Sequence, residues 1–422
     1  MHLTYEELRD AIEGGFVGLR ARTTLQPLGG AGDKVFPPTY QPSREDGTKY
    51  AFEDRRIDGA TVRCVLVDSV ASQANRMEAA LLAAARSRRA PVPYVTVDFS
   101  DTDVADLDEV TSMEAPHRVY DAILRDSLLD GTVFRLSEPG IAITEATVGN
   151  AMALFRYAPT TLLFGGWDST GPKGGQGTKV ERAITSELVG VGVQAGVRVG
   201  SRLDPLGIET QAGPLYRAKD GTGLKWTDDP DEAAGEKGKP VLFDQSGGEG
   251  KAGNPSKVNH GNVTPTIDDR AGGVTVDEVR GTTVLSFVQL RRIALPVDSA
   301  GDAWTDRGMR HRAELAARTA IAALGVLGMV LAFDEGFDLR SRCVLVADSP
   351  LEIELVGRTS DAKRFAVTQE EAVDLLNQAV AKVRDAGLPW EAEPVRLVPA
   401  PQLVDLVTRS RDLSAQKSPD EE

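Results

Sequence analysis

Cysteine, histidine and aromatic residues are all scarce in this 422-residue chain; the aromatics make up only 5%. Its two cysteines, Cys64 and Cys343, are far apart and each lies in an apolar run, Val62 to Val67 and Cys343 to Val346. Two buried thiols in a reducing compartment are therefore expected, not a disulfide framework. The four histidines, His2, His117, His260 and His311, show no CxxC, HxxxH or HExxH spacing. That pattern argues against a zinc finger or a zincin centre, and neither metal nor cofactor is expected. No apolar run reaches the ~20 residues of a membrane-spanning helix. The greasiest one, Thr319 to Phe333, is flanked by Arg318 and Asp334 and reads as a buried helix. Met1 to Asp10 is polar and acidic, without the basic and apolar regions of a secretion signal, so a cytoplasmic protein with no membrane partner is expected.

What is present is an ordinary globular balance, 41% hydrophobic and 26% charged, with a surplus of acid. Lys and Arg number 48 against 63 Asp and Glu, a net charge of −15. Such a chain is a poor generic binder of phosphate backbones, whose affinity comes mainly from Lys and Arg. The acid is concentrated in Asp98 to Glu114, Asp228 to Glu236 and the tail Asp420 to Glu422, which read as solvated faces and ends. A local basic groove still acts independently of them, because salt screens charges beyond ~8 Å.

The length suggests two or three domains' worth of chain. Strands are expected at Phe16 to Leu25, Thr61 to Val67, Pro93 to Phe99 and Thr282 to Leu295, with short ones near Cys343 to Val346 and Leu351 to Val356. Helices are expected at Gln73 to Arg88, where Met77, Leu81, Leu82 and Ala85 share a face, and at Pro116 to Leu129, Asp306 to Phe333 and Gln369 to Ala386. A short strand and helix within Pro394 to Arg411 complete the pattern. From Leu203 to Gly281 the chain turns rich in Gly, Pro, Asp and Lys and loses periodicity. So long a stretch is read as an insertion, an extended hairpin ordered against a partner. The class is α+β, one sheet with helices on one face, carrying insertions.

Two segments carry chemistry. The first, Asp68 to Glu78 (DSVASQANRME), places a strand end before a helix N-terminus, where free N–H groups and the dipole favour an anion. Ser72 is read as the cap, while Gln73, Asn75 and Arg76 offer donors for phosphate and 2′-hydroxyl contacts, or simply local helix pairs. The second runs from Phe164 to Gly192 (FGGWDSTGPKGGQGTKVERAITSELVGVG). It is not a Walker A loop, because Gly177 is followed by Thr178-Lys179, the wrong order. It is a donor-rich cationic loop with Lys173, Lys179 and Arg182 among glycines, Ser169 and Thr170 as hydroxyl donors, and Trp167 as a stacking face. The alternative for it is a surface turn with a buried Trp. No nucleophile–base pair stands out; Asp33 and Asp68 are loop carboxylates of the kind that assist RNA cleavage.

At these two segments, DSxxSQxNRxE and GGWDSTGPKGGQGTKxxRAITSELVG, the chain resembles the backbone subunit of type I-G (formerly I-U) CRISPR surveillance complexes, in the RAMP superfamily. The resemblance extends over most of Val17 to Ala332 in element order. It implies a ferredoxin-like, RRM-type palm with large insertions shaped as fingers and thumb. On that plan residues 1–202 plus 282–413 form the palm, 203–281 the thumb and 414–422 a disordered tail. It implies several copies lined up along a CRISPR guide RNA, pairing of that guide with target DNA, other effector subunits as partners, and no enzymatic activity. The implied RNA-binding set is Arg22, Ser72, Gln73, Asn75, Arg76, Trp167, Ser169, Thr170, Lys173, Lys179 and Arg182, with Lys251, Lys257, Asn259 and His260 at the thumb tip. The alternative is a target-RNA-cleaving RAMP endoribonuclease using a loop Asp, Asp33 or Asp68. A protein-only scaffold is the third class.

Overall fold

A computed structural model describes residues 2–42, 44, 47–169, 171, 178–209, 211–220, 225–236, 238–244, 252–359 and 362–416. Thr170, Lys173, Lys251 and the tail from 417 onward lie outside the described residues. The chain divides into two compact units, Met1–Ala195 with Gly273–Leu403, and Gly196–Gly272 with Val404–Glu422. It is an α+β protein.

The first unit is organised by a long antiparallel sheet. Its central members are β1 (Phe16–Pro27), β2 (Ile184–Val191), β3 (Glu278–Ser286) and β4 (Glu352–Gly357). β1 pairs with β3 on one side and β4 on the other, and β2 pairs with the outer edge of β3. The spatial order is therefore β4-β1-β3-β2. Between β1 and β2 the chain inserts helix α1 (Val70–Arg86), and between β3 and β4 helix α2 (Arg307–Asp334). Period-two alternation decides the faces: Leu19, Ala21 and Leu25 are buried, while Arg20 and Arg22 point to the opposite side.

Beyond β2 the sheet is extended by a hairpin, Phe52–Ile57 with Ala60–Asp68. Asp58 and Gly59 both take positive φ (49° and 85°), as a two-residue hairpin turn demands. The outer strand, FEDRRI, is heavily charged, which guards a free edge against further pairing.

α2 is apolar almost throughout and has Gly325 and Gly328 on its buried length. A Cβ at Gly328 would lie 3.2 Å from a methyl carbon of Leu81, so the missing side chain sets the closeness of α1 and α2. By length and composition α2 would span a bilayer, yet 83% of its most apolar window is buried inside the protein.

Several sequence expectations are corrected. Pro116 to Leu129 is not one helix: it forms a 3-10 turn at Arg118–Tyr120, a four-residue helix at Ala122–Arg125 and a strand at Ser127–Leu129. Arg118 takes φ +54°, which breaks a continuous helix, and the Asp121 side chain caps the short one. The strand expected to run to Leu295 stops at Ser286, whose hydroxyl caps the helix Phe287–Leu290. Helix α1 starts three residues earlier than expected and is capped by Ser69, not Ser72. The helix Pro401–Gln416 runs into the stretch expected to be a tail. The single expected sheet is joined by a second, five-stranded one. It combines Glu109–Thr111, Val95–Asp98, Val395–Pro399, Ser127–Leu129 and Thr132–Val133, with a parallel pair between Val95–Asp98 and Val395–Pro399.

In the second unit an antiparallel ribbon, Arg198–Arg202 with Val263–Asp268, leads to short strand pairs. The few apolar side chains Leu215, Ala233 and Phe243 are buried within it.

Both thiols are buried, and burial pushes each above the usual cysteine range. Gly328→Ala should change stability by less than ~1 kcal/mol, since the helix-propensity gain offsets the tight contact. Gly328→Leu should cost ~1–3 kcal/mol by overpacking against Leu81, read as a lower urea midpoint with unchanged slope.

Candidate nucleic-acid interface

The Asp68 to Glu78 segment is built around two buried carboxylates. Asp68 is fully buried and accepts from Gln73 Nε2 at 2.7 Å, Arg76 Nε at 3.0 Å and Arg340 Nη2 at 3.0 Å. The spare guanidinium nitrogens hold backbone: Arg76 donates to Leu339 O and Arg340 to Val67 O. Gln73 Oε1 in turn accepts from the Ser186 hydroxyl at 3.0 Å, which accepts from Thr283 at 2.8 Å. One chain of hydrogen bonds thus ties α1 to β2, β3 and the strand Phe337–Arg340. Burying a charge is tolerated only with such full pairing.

Glu78, also buried, meets Arg118 in a two-pronged pair, Nε to Oε1 and Nη2 to Oε2, both 2.7 Å. Burial pushes the Glu78 carboxyl up, and the Arg118 guanidinium pulls it back. The third Arg118 nitrogen donates to Gly165 O at 3.2 Å, which carries the tie into the glycine-rich segment.

That segment opens a cleft of about 410 Å³ lined by Arg118, Gly165, Gly166, Trp167, Lys179 and Arg182, among others. Gly165 takes φ +82°, and a Cβ there would lie 2.9 Å from Arg182 Cγ; the arginine stem lies across it. A Cβ at Gly166 would press on the Thr161 methyl at 2.8 Å and the Tyr120 ring at 3.0 Å. Both positions therefore require glycine. Asp168 is buried and takes both contacts of Arg135 Nη2 at 2.9 Å, anchoring the start of the loop. Between these anchors Trp167 pairs directly with Lys179 across a two-stranded ribbon, so the two side chains share a face.

Trp167 is 47% exposed, which overturns the reading of a buried indole. Lys179 and Arg182 are exposed and make no hydrogen bond or ion pair among the described residues. Desolvation first, and Arg118 second, hold the Arg182 guanidinium below its ordinary pKa. The negative charge of a bound anion would act in the opposite direction, favouring the charged guanidinium.

The structure thus brings Trp167, Lys179 and Arg182 together and adds Arg118, which sequence reasoning missed. Ser169, two residues beyond Trp167, is exposed and is not among the residues that line the cleft. Gln73 is buried and Arg76 half-buried, with their donors engaged inside the fold as described. Ser72 is half-buried and Asn75 exposed on the outer side of α1. Arg22 lies on the opposite face of the sheet, where Glu354 receives Arg20 at 2.7 Å, Arg364 at 3.1 Å and Arg22 at 3.6 Å. Three guanidinium groups to one carboxylate leave that spot cationic.

In the second unit Lys257 is buried against Asp244, Nζ to Oδ1 2.8 Å, and His260 Nδ1 lies 3.8 Å from Asp204. Lys257 is thus part of the local packing, not an exposed tip cation, while Asn259 takes a left-handed φ of 59°. Asp33 is exposed, in a separate cleft with Lys34 and Arg342. No group of three His, Cys, Asp or Glu side chains is placed to hold a metal ion among the described residues.

Cationic side chains beside an open indole have the chemistry to hold an anion and to stack a flat ring. Residues 19–195, which contain both motif segments, match the family model described as CRISPR-associated protein GSU0053 (Cas_GSU0053). The match supports a CRISPR-associated protein with a role in CRISPR defence. No curated protein matches the chain.

Removing Glu78 alone strands a buried guanidinium. Glu78→Ala should therefore cost ~3–5 kcal/mol of unfolding free energy, and Glu78→Ala with Arg118→Met markedly less. Equal losses in the single and double variants, by urea denaturation, would show that the pair does not hold the two segments together.

Proposed function

We propose that this chain is a guide-RNA-binding backbone subunit of a type I-G CRISPR effector complex, acting in the cytoplasm and lining up in several copies along the guide for DNA targeting. The observation that carries the reading is the coincidence of two facts. The stretch matching a CRISPR-associated family also contains a cleft whose cations, Lys179 and Arg182, have no side-chain partner among the described residues. The strand order β4-β1-β3-β2, with α1 and α2 as the two crossovers, is that of a ferredoxin-like, RRM-type palm and supports the same reading. The unit Gly196–Gly272 would then serve as the thumb.

The RAMP endoribonuclease reading is less well supported. Asp68 is fully buried and already accepts from three side chains, so it offers no free carboxylate to a substrate. Asp33 remains the one exposed residue of the pair, and the subunit is proposed to bind without cutting.

Changing Lys179 and Arg182 to Ala should weaken binding of single-stranded RNA of any sequence alike. The plot of log affinity against log salt should flatten by roughly 1.4, or ~0.7 for each lost phosphate contact. An unchanged slope would leave the cleft without a role in RNA binding. Incubating the RNA-loaded protein with complementary RNA and magnesium should leave that RNA intact. Site-specific cuts abolished by Asp33→Ala would instead identify a target-cleaving enzyme.

A further inference from the structure

We propose that the Trp167 cleft is a seat for one unstacked nucleotide, its base laid on the indole and its phosphate held by Arg182 and Lys179. The inference rests on the RNA-binding reading above and narrows it from backbone grip to a nucleotide-sized pocket.

The argument begins with what a phosphate site alone would not need. Of the four tryptophans, Trp390 is buried at 5% exposure, Trp304 Nε1 is bonded to Leu295 O, and Trp226 of the second unit is about as open as Trp167; what distinguishes Trp167 is that it lines a cleft together with Lys179 and Arg182. Its cross-strand partner is Lys179, and the Arg182 stem crosses Gly165, two residues before the indole. Aromatic face and positive charge thus meet within one small ribbon, the pairing that base and phosphate use together.

The cleft is also held open and charged by its surroundings. Arg118 is fixed from below by Glu78 and Gly165 O, so it cannot swing across to fill the space. Glu181, the only carboxylate in the lining among the described residues, reaches Arg292 at 3.3 Å instead of its neighbours Lys179 and Arg182. At about 410 Å³ the space falls at the small end of ligand pockets, the size of a nucleotide and not of a helix.

The test uses the full chain with three probes: AMP, ribose 5-phosphate and inorganic phosphate, titrated by ligand-observed NMR. AMP should bind about five-fold or more tightly than ribose 5-phosphate, because only AMP can stack. Trp167→Leu should erase that difference, whereas Trp167→Phe, which keeps a ring, should preserve most of it. Arg182→Ala should weaken AMP and ribose 5-phosphate by similar factors. The proposal is overturned if AMP and ribose 5-phosphate bind alike, if Trp167→Leu leaves AMP affinity unchanged, or if AMP does not bind. Single-stranded RNA, titrated in parallel, separates the two readings. Normal RNA binding without an AMP preference removes the nucleotide seat alone, and absence of RNA binding removes the functional reading as well.

Discussion

Two carboxylates taken out of water, one at the strand end before α1 and one midway along α1, constrain most of what surrounds them. Asp68 and Glu78 are almost wholly buried, and a buried charge persists only where donors surround it. Asp68 recruits one donor from the first turns of its own helix, Gln73, a second from the next turn, Arg76, and a third from the distant strand residue Arg340. Glu78 recruits Arg118 and, through it, the backbone of Gly165. The spacing of the first motif is thus that of an anchor: positions 73 and 76 are three apart on one helix face, where both reach the carboxylate at the strand end. Its donors serve the fold before they serve a ligand.

The second motif gains its chemistry from what this anchoring leaves over. Glu78 is saturated by Arg118, so Arg182, close enough to feel both charges, is left without a side-chain partner among the described residues. Lys179 likewise has no side-chain partner among the described residues, its nearest acid in sequence, Glu181, turning to Arg292. This is how a chain of net charge −15 presents a cationic cleft. With Arg118 committed to Glu78 and Glu181 to Arg292, the charges left over in the cleft lining are those of Lys179 and Arg182, and they govern the approach of an anion.

Much of this was legible in the sequence, and the failures have physical causes. Long periodic elements came through, because burial on one face writes itself into 3.6- and 2-residue patterns: β1, α1, α2 and the helix Gln369–Asp385 all lie within a few residues of expectation. The hairpin strand Phe52–Ile57 did not, since an edge strand has no buried face and FEDRRI reads as a charged loop. The signal that was available was Asp58-Gly59, a two-residue turn between paired strands. Pro116 to Leu129 failed differently, because Arg118, whose guanidinium meets Glu78 forty residues away, takes a left-handed conformation that propensity cannot anticipate. At the site, sequence reasoning found Trp167, Lys179 and Arg182 from their chemistry. It could not tell that Gln73 and Arg76 face inward, because an amphipathic helix also hides polar residues wherever a buried carboxylate awaits them.

The glycines of the second motif show why a rigid cleft and a loop rich in glycine are compatible. Flexibility is the usual reason to invoke glycine, but Gly165 and Gly166 are there for space: the arginine stem lies against one, and the Tyr120 ring with the Thr161 methyl against the other. Each contact fixes the ribbon that carries Trp167. Asp168, buried under Arg135, fixes the next residue along. An indole held between such neighbours loses little freedom when a flat ligand lies on it, so the ordering cost is met during folding and not during binding. A side chain that is half exposed yet set on a closely packed backbone is therefore what a stacking platform requires. The tight packing beneath the ribbon and the open face above it are two sides of one arrangement.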